Sequence, residues 1–294
     1  MQAPQGAFIV LGGSMRAITP VACAVLFNEK GQCLINSRPQ GKPFAGWWEF
    51  PGGKMEAGES VEETVRRELR EELGLDVKAC APWVTLVHEY PHAVVKLHFV
   101  RSWNWSGVPQ SREKQQFGFF DLDQWPSPIL KASEPIASWL RLPKHWLRIE
   151  SDVPDLSKIE KRSFDGVMLG TAQCERLAFW REKLAATGIV QFWVEASASQ
   201  AIQEASDGVY AKAPVEHNRI YHERYAFGIG SDDWTAFKDS GALFAIAPDF
   251  VQVGSSAWQR LLEENPVPLY ATSVRVDDEK FLRPHGAQGW IETI

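Results

Sequence analysis

Between residues 53 and 75 the chain sets Gly53, Glu59, Arg67, Glu68, Leu69, Glu71, Glu72, Gly74 and Leu75 in the spacing G-x5-E-x7-R-E-U-x-E-E-x-G-U, where U is aliphatic. At average residue usage, a match this complete arises by chance in such a chain with a probability on the order of 10⁻⁷. Val61, Val65, Leu69 and Leu73 recur every four residues, the narrow apolar stripe of a helix docked on a core. Glu68, Glu71 and Glu72, at i, i+3 and i+4, project from one side of that helix. Carboxylates placed so closely repel, and a helix built only for solubility would intersperse lysines. Clustered hard oxygens suit Mg²⁺, with Mn²⁺ as the alternative, and such ions often bridge carboxylates to substrate phosphates. Pro51-Gly52-Gly53 ahead of the helix allows a tight turn and close approach to a ligand, and Gly74 is a C-cap signal. A loop followed by a helix, arranged to hold a metal and a diphosphate, is the expected site.

This pattern resembles the Nudix box, and Trp47-Trp48-Glu49-Phe50-Pro51-Gly52-Gly53-Lys54 looks like the segment that leads into it in the MutT-type branch, pyrophosphohydrolases of nucleoside triphosphates. The resemblance implies an α/β/α sandwich with a mixed sheet. It implies a metal held by the Gly52 carbonyl and by Glu68, Glu71 and Glu72, with Glu59 and Arg67 bracing the loop and orienting the catalytic glutamate. A further family glutamate corresponds to Glu113 in Ser111-Arg112-Glu113, and a phosphate-contacting arginine to Arg38. Glu49, Phe50 and Gly53 join the expected substrate contacts. The implied reaction is attack of water at the β-phosphorus, giving nucleoside monophosphate and pyrophosphate. Glu68 serves as ligand or base, with Glu113 the competing base; the sequence does not separate them.

The branch often carries a Pro-Ala-Asn-Glu-Pro-like segment whose asparagine reads an oxidised guanine. Here the segment is Lys131-Ala132-Ser133-Glu134-Pro135, so Ser133 takes that position. A hydroxyl offers one bond at a time to a base edge, whereas an amide offers donor and acceptor together. Ser133 also reads as a helix N-cap ahead of Glu134-Pro135. Tyr90, in His88-Glu89-Tyr90-Pro91-His92, is placed to stack on a base. The expected activity is that of an 8-oxo-dGTP diphosphatase cleaning the nucleotide pool. The alternatives are a hydrolase of a thiamine-pathway or other diphosphate, and a non-catalytic nucleotide-sensing or scaffold protein.

At 294 residues the chain has room for two domains. We place an N-terminal extension at 1–14, the Nudix-like domain at 15–142 and a second domain at 143–294. Residues 1–14 lack a cationic stretch ahead of an apolar core and do not read as a signal peptide. Residues 19–26 read as the first strand. No apolar run approaches a membrane span. The net charge of −6 argues against a general nucleic-acid surface, while a free nucleotide needs only a local basic patch. Cys23, Cys33, Cys80 and Cys174 show no metal-ligand spacing and read as free thiols of a reducing cytoplasm. Oligomeric state is not legible.

From His145 onward β-rich runs at 146–150, 166–169, 189–195, 208–211, 225–229, 242–247, 267–271 and 289–292 alternate with helical segments such as 174–187, 232–240 and 255–264. Eight such strands predict a small, TIM-like (β/α)8 barrel. Asp207-Gly208-Val209-Tyr210, Ser240-Gly241-Ala242-Leu243-Phe244-Ala245, Val267-Pro268-Leu269-Tyr270-Ala271 and His285-Gly286-Ala287-Gln288-Gly289 resemble strand starts of thiamine-phosphate synthase and its TenI-like relatives. That family carries a Gly-Gly phosphate loop where this chain has Thr272-Ser273-Val274-Arg275, and a His-Leu-Gly segment where it has Val209-Tyr210-Ala211-Lys212. Without those glycines the backbone does not easily cradle a phosphate, so the barrel is expected to lack synthase activity. Lys212 and Arg275 are the candidates for a residual anion site. Asp232-Asp233 and Asp277-Asp278 read as helix N-terminal charges.

Overall fold

The computed structural model describes residues 8–11, 14–154, 159, 164–189, 191–211, 220, 224–228, 242–247, 253–263, 266–272 and 282–294. The chain divides into two compact units, with the main boundary in sequence between Leu142 and Pro143.

The first unit is built on a mixed sheet of β1 (Phe8–Leu11), β2 (Ser14–Leu26), β5 (Gly52–Lys54), β6 (Asp76–Tyr90) and β7 (Ala93–Ser106). β2 runs parallel to β7 and antiparallel to β1 and β5, and β6 closes the far side antiparallel to β7. A second, antiparallel sheet orders β4 (Trp48–Glu49), β3 (Cys33–Ser37) and β8 (Phe117–Phe120). The first strand expected from sequence begins earlier than predicted, at Ser14, and a hairpin strand over Phe8–Leu11 precedes it.

Helix α1 (Val61–Leu73) lies on the main sheet, and Val65, Leu69 and Leu73 are fully buried against Ala22, Ala24, Leu26, Leu34 and Val100. Each such side chain contributes about 1.5–3 kcal/mol on burial, enough to hold the acidic face of α1 at a fixed height over the sheet. Helix α2 (Glu134–Trp139) packs through Trp139, whose ring meets Trp83 of β6 edge to face at 6.5 Å.

The second unit is a closed barrel of eight parallel strands. They are β9 (His145–Ile149), β10 (Gly166–Leu169), β11 (Gln191–Glu195), β12 (Gly208–Ala211), β13 (Tyr225–Gly228), β14 (Phe244–Ile246), β15 (Leu269–Ala271) and β16 (Gly289–Thr293), with β16 pairing back onto β9. All eight expected strands are present, with ends shifted by up to two residues. The barrel interior holds the rings of Trp146, Trp193, Phe244 and Tyr270 in mutual contact, and Trp146 and Trp193 fill the space left by Gly166 and Gly208. Helical turns occupy Cys174–Arg176, α3 (Leu177–Lys183) and Ala185–Thr187, covering the predicted 174–187 segment. A short α4 (Gln200–Ala205) was not anticipated, and α5 (Ser256–Glu263) matches the predicted 255–264. Lys212, Asp232, Asp233, Ser273, Val274, Arg275, Asp277 and Asp278, with the expected helix at 232–240, lie outside the described residues. Cys23, Cys33 and Cys174 are buried free thiols and Cys80 is half-buried and free. Among the described residues no helix is long and apolar enough to cross a membrane.

Candidate active site

The acidic helix begins with a capping box. The Ser60 side chain accepts from the Glu63 amide at 3.3 Å, and the Glu63 carboxylate accepts from the Ser60 amide at 2.8 Å. It ends at Gly74, whose φ of 70° is left-handed and whose amide donates to Arg70. With both ends fixed, the side chains at 67, 68, 71 and 72 emerge at defined positions.

Arg67 is the hub. Its Nε and Nη2 donate to the two oxygens of Glu59 at 2.7 and 2.9 Å, and Nη2 also donates to the Lys54 carbonyl at 3.0 Å. Its Nη1 donates to Glu68 at 2.8 Å and reaches Glu71 at 3.3 Å. One guanidinium therefore ties the loop before the helix, through Glu59 and Lys54, to Glu68 on the helix. The planar fork makes this two-pronged clamp on Glu59 possible. Glu59 also accepts from the Glu56 amide at 3.0 Å and the Thr64 hydroxyl at 2.8 Å. The Arg67 bonds, followed by the Glu56 amide, hold the Glu59 carboxyl down at about 2. The same contacts raise the Arg67 pKa further above its ordinary value.

Two glycines shape the loop for different reasons. Gly52 has a φ of 145°, and a Cβ there would lie 2.1 Å from the Ala22 carbonyl oxygen, because β5 presses on β2 with Cys23 opposite Gly52. Gly53 has an ordinary φ, but a Cβ there would lie 2.2 Å from the Glu68 carboxyl carbon. The turn-forming role expected of both belongs to Gly52, while Gly53 makes room for a carboxylate.

The carboxylates differ sharply in setting. Glu72 is 7% exposed, its Oε2 has no hydrogen-bond partner, and burial, reinforced by the charges of Glu113, Glu68 and Glu49, pushes its carboxyl up to about 8. The Glu71 side chain is 59% exposed and stands at the solvent edge. Glu113 sits on a loop pinned to the end of α1. Gln115 accepts from the Glu113 amide and donates to the Glu72 carbonyl, both at 2.9 Å, and the Arg112 amide donates to the same carbonyl at 3.0 Å. Glu68 therefore lies against Gly53, the charges of Glu68 and Glu113 reach the buried Glu72, and Glu71 stands apart at the solvent edge. Among the described residues no three such side chains converge closely enough to cage an ion as they stand. Their repulsion is relieved instead by Arg67 on Glu68 and by Lys42, 2.9 Å from Glu113. A buried carboxylate with an orphaned oxygen beside like charges is nonetheless the environment a divalent cation would complete, so the donor set fits one.

The remaining expected residues surround this cluster unevenly. Glu49 is half-buried on β4, and desolvation raises its pKa against the opposing effect of Arg38, whose Nη1 donates to it at 2.7 Å. Arg38 Nε donates to the Pro43 carbonyl at 2.6 Å, so much of this guanidinium is committed to its own loop. Phe50 is a core residue, 3% exposed, with its ring 5.7 Å from both Phe99 and Trp125. Tyr90 belongs to an aromatic group with Phe44, His88 and His92, and its phenol meets the backbone of Ala132, next to Ser133. Tyr90 and Ser133 are therefore close neighbours. Ser133 occupies the N-cap position of α2, but its φ and ψ of −90° and −18° are helical and its side chain makes no capping bond. The expected cap is replaced by a 3-10 turn over Lys131–Ser133 that runs into the helix. Lys42, Ser60 and Gln115 were not singled out from sequence; only Ser60-x-x-Glu63, a capping-box spacing, carried a local signal.

Residues 17–141 match the NUDIX domain family. An 8-oxo-dGTP diphosphatase of Haemophilus influenzae is 37% identical over 105 residues, covering 36% of this chain and 76% of that protein. The 8-oxo-dGTP diphosphatase of Escherichia coli is 32% identical over 126 residues, 41% of this chain and 95% of that protein. A CTP pyrophosphohydrolase of Escherichia coli is 32% identical over 114 residues, 39% of this chain and 80% of that protein. Relatives at 32–37% identity, each covered over 76–95% of its own length, together with a helix whose box residues are clamped through Glu59, Arg67 and Glu68, make this chain a member of the Nudix hydrolase family.

Proposed function

We propose that residues 15–142 form a Mg²⁺-dependent nucleoside triphosphate pyrophosphohydrolase, able to use Mn²⁺, with 8-oxo-dGTP as its preferred substrate. The observation that carries this reading is the Glu59–Arg67–Glu68 clamp beside the orphaned carboxylate oxygen of Glu72. Glu68, Glu71, Glu72, Glu113 and the Gly52 carbonyl are the proposed metal-holding groups. A divalent cation bound there would neutralise phosphate oxygens and lower the pKa of the attacking water. Water forms a new bond to the β-phosphorus, the bond from that phosphorus to the α–β bridging oxygen breaks, and the nucleoside monophosphate leaves. The displaced proton goes to Glu68 or Glu113, each a carboxylate at the cluster. Arg67 holds Glu68 in register with the loop, and Tyr90 and Ser133 are the proposed contacts to the base. Similarity to 8-oxo-dGTP diphosphatases and to a CTP pyrophosphohydrolase supports the chemistry and leaves the base to be tested.

The barrel, residues 143–294, is proposed to lack thiamine-phosphate synthase activity, as Thr272 stands where that family begins its glycine phosphate loop. Pyrophosphate release in Mg²⁺ from 8-oxo-dGTP, dGTP, CTP, other nucleoside triphosphates and thiamine diphosphate, with Glu68→Gln as control, tests the assignment. Preference for 8-oxo-dGTP that disappears in the variant supports it. Turnover of another substrate alone discards the sanitising role, and turnover of none leaves a nucleotide-binding protein.

A further inference from the structure

Lys42, on the segment joining β3 to β4, is the cation paired with Glu113. Its Nζ lies 2.9 Å from Glu113 Oε2, and its ammonium also feels the charges of Glu72 and Glu49. The segment is preformed. The Arg38 amide donates to the Trp47 carbonyl and the Gly46 amide to the Arg38 carbonyl, at 2.8 and 2.9 Å. Gly41, Phe44 and Gly46 have left-handed φ of 87°, 60° and 83°. The Phe44 ring anchors the turn against Trp47, Tyr90 and His92. Arg38, the cation that the sequence marks for phosphate contact, spends Nη1 on Glu49 and Nε on the Pro43 carbonyl. Lys42 is half-exposed, on a flexible stem, and its ion pair with an equally exposed Glu113 is the kind that opens at little cost.

We propose that Lys42 binds the phosphate chain of the nucleotide, and that in the absence of a metal it serves as the internal counter-ion of the Glu113–Glu72 cluster. The inference rests on the pyrophosphohydrolase reading. A divalent cation taken up by those carboxylates competes with the ammonium. Once released, Lys42 stays beside the carboxylates that would hold the metal, and it offers three donors to the phosphates that the metal would bring there. The preformed backbone keeps the lysine at the cluster in either arrangement, so the exchange needs only side-chain rotation.

The test uses the full chain carrying Lys42→Met, Lys42→Arg or, as a charge control, the exposed Lys30→Met. Mn²⁺ binding without nucleotide is read by electron paramagnetic resonance, and steady-state kinetics are read with the best nucleoside triphosphate. Loss of the competing ammonium should tighten Mn²⁺ binding about three-fold in Lys42→Met. Loss of a charge-assisted phosphate contact should raise KM about ten-fold with kcat little changed. Lys42→Arg should recover most of the KM, and Lys30→Met should match wild type. Unchanged or weaker Mn²⁺ binding in Lys42→Met overturns the counter-ion role. An unchanged KM in that variant, with wild type turning over, overturns the phosphate role. A wild type that hydrolyses no nucleotide removes the hydrolase reading and the phosphate role together, while the Mn²⁺ measurement still decides the other half.

Discussion

The Glu68 carboxylate fills the space a side chain at residue 53 would need, since a Cβ built on Gly53 would lie 2.2 Å from its carboxyl carbon. Gly53→Ala must push the end of a flexible side chain aside, which the fold tolerates and the chemistry does not. A Cβ at residue 52 meets backbone instead, 2.1 Å from the Ala22 oxygen, at a φ of 145°. Gly53→Ala should therefore lower kcat by about 10²-fold with the melting temperature almost unchanged. Gly52→Ala should cost about 1–3 kcal/mol of stability and lower the melting temperature by several degrees. Melting curves by circular dichroism, run beside pyrophosphate release, separate the two. Equal melting temperatures for both variants would refute the distinction.

Arg67 makes two bonds to Glu59, one to Lys54 and one close bond to Glu68, a set no ammonium reproduces. Arg67→Lys keeps the charge and loses the fork, so kcat should fall about 10²-fold despite the nominally conservative change. A loss under three-fold would mean that charge alone suffices.

The same contacts make a pH prediction through Glu59, whose folded carboxyl is held at about 2 against an ordinary 4.5. A lowered folded pKa gives stability that is fully present above 4.5 and lost as pH falls from there through about 2. The melting temperature of wild type should exceed that of Glu59→Gln at pH 6, and the gap should close between pH 4.5 and 2. A gap that is constant down to pH 2 would show that Glu59 is not bound as an anion.

Glu72 predicts the opposite slope in metal-free protein. Its folded carboxyl is pushed up to about 8, chiefly by burial, so its contribution is fully present below 4.5 and lost as pH rises through about 8. In chelator, wild type should lose melting temperature from pH 6 to pH 9, and Mg²⁺ should restore it most strongly at the alkaline end. Glu72→Gln should show neither the decline nor the rescue. A Mg²⁺ effect on that variant equal to wild type would place the ion elsewhere.

Much of this site was legible because its groups are close in sequence. The i, i+3, i+4 spacing put Glu68, Glu71 and Glu72 on one helix side, and apolar residues every four positions told which way that helix docks. The barrel strands were legible too, as short apolar runs separated by turn residues. What the spacing did not resolve is the order of burial among the glutamates: Glu72 faces the core side and Glu71 the solvent, a rotation set by packing of Val65, Leu69 and Leu73. Nor did it show that Phe50 belongs to the core or that Arg38 is tied to Pro43 and Glu49. Lys42 and Glu113 are 71 residues apart and are brought together by the tertiary fold rather than by any local spacing.

Ser133 is where base selectivity should be adjustable. It is buried, its neighbour Ala132 meets the Tyr90 phenol, and its hydroxyl makes no capping bond. A serine can satisfy one position on a base edge, whereas an asparagine presents donor and acceptor to two at once. Ser133→Asn should therefore raise the ratio of kcat/KM for 8-oxo-dGTP over dGTP, by about ten-fold if a paired contact forms. The added volume in a packed site should cost about 1–3 kcal/mol of stability, which the melting temperature reports. Ser133→Ala should lower the same ratio while leaving stability near wild type. Ratios that do not move in either variant would take base reading away from this position and assign it to the ring group of Tyr90, Phe44 and His92.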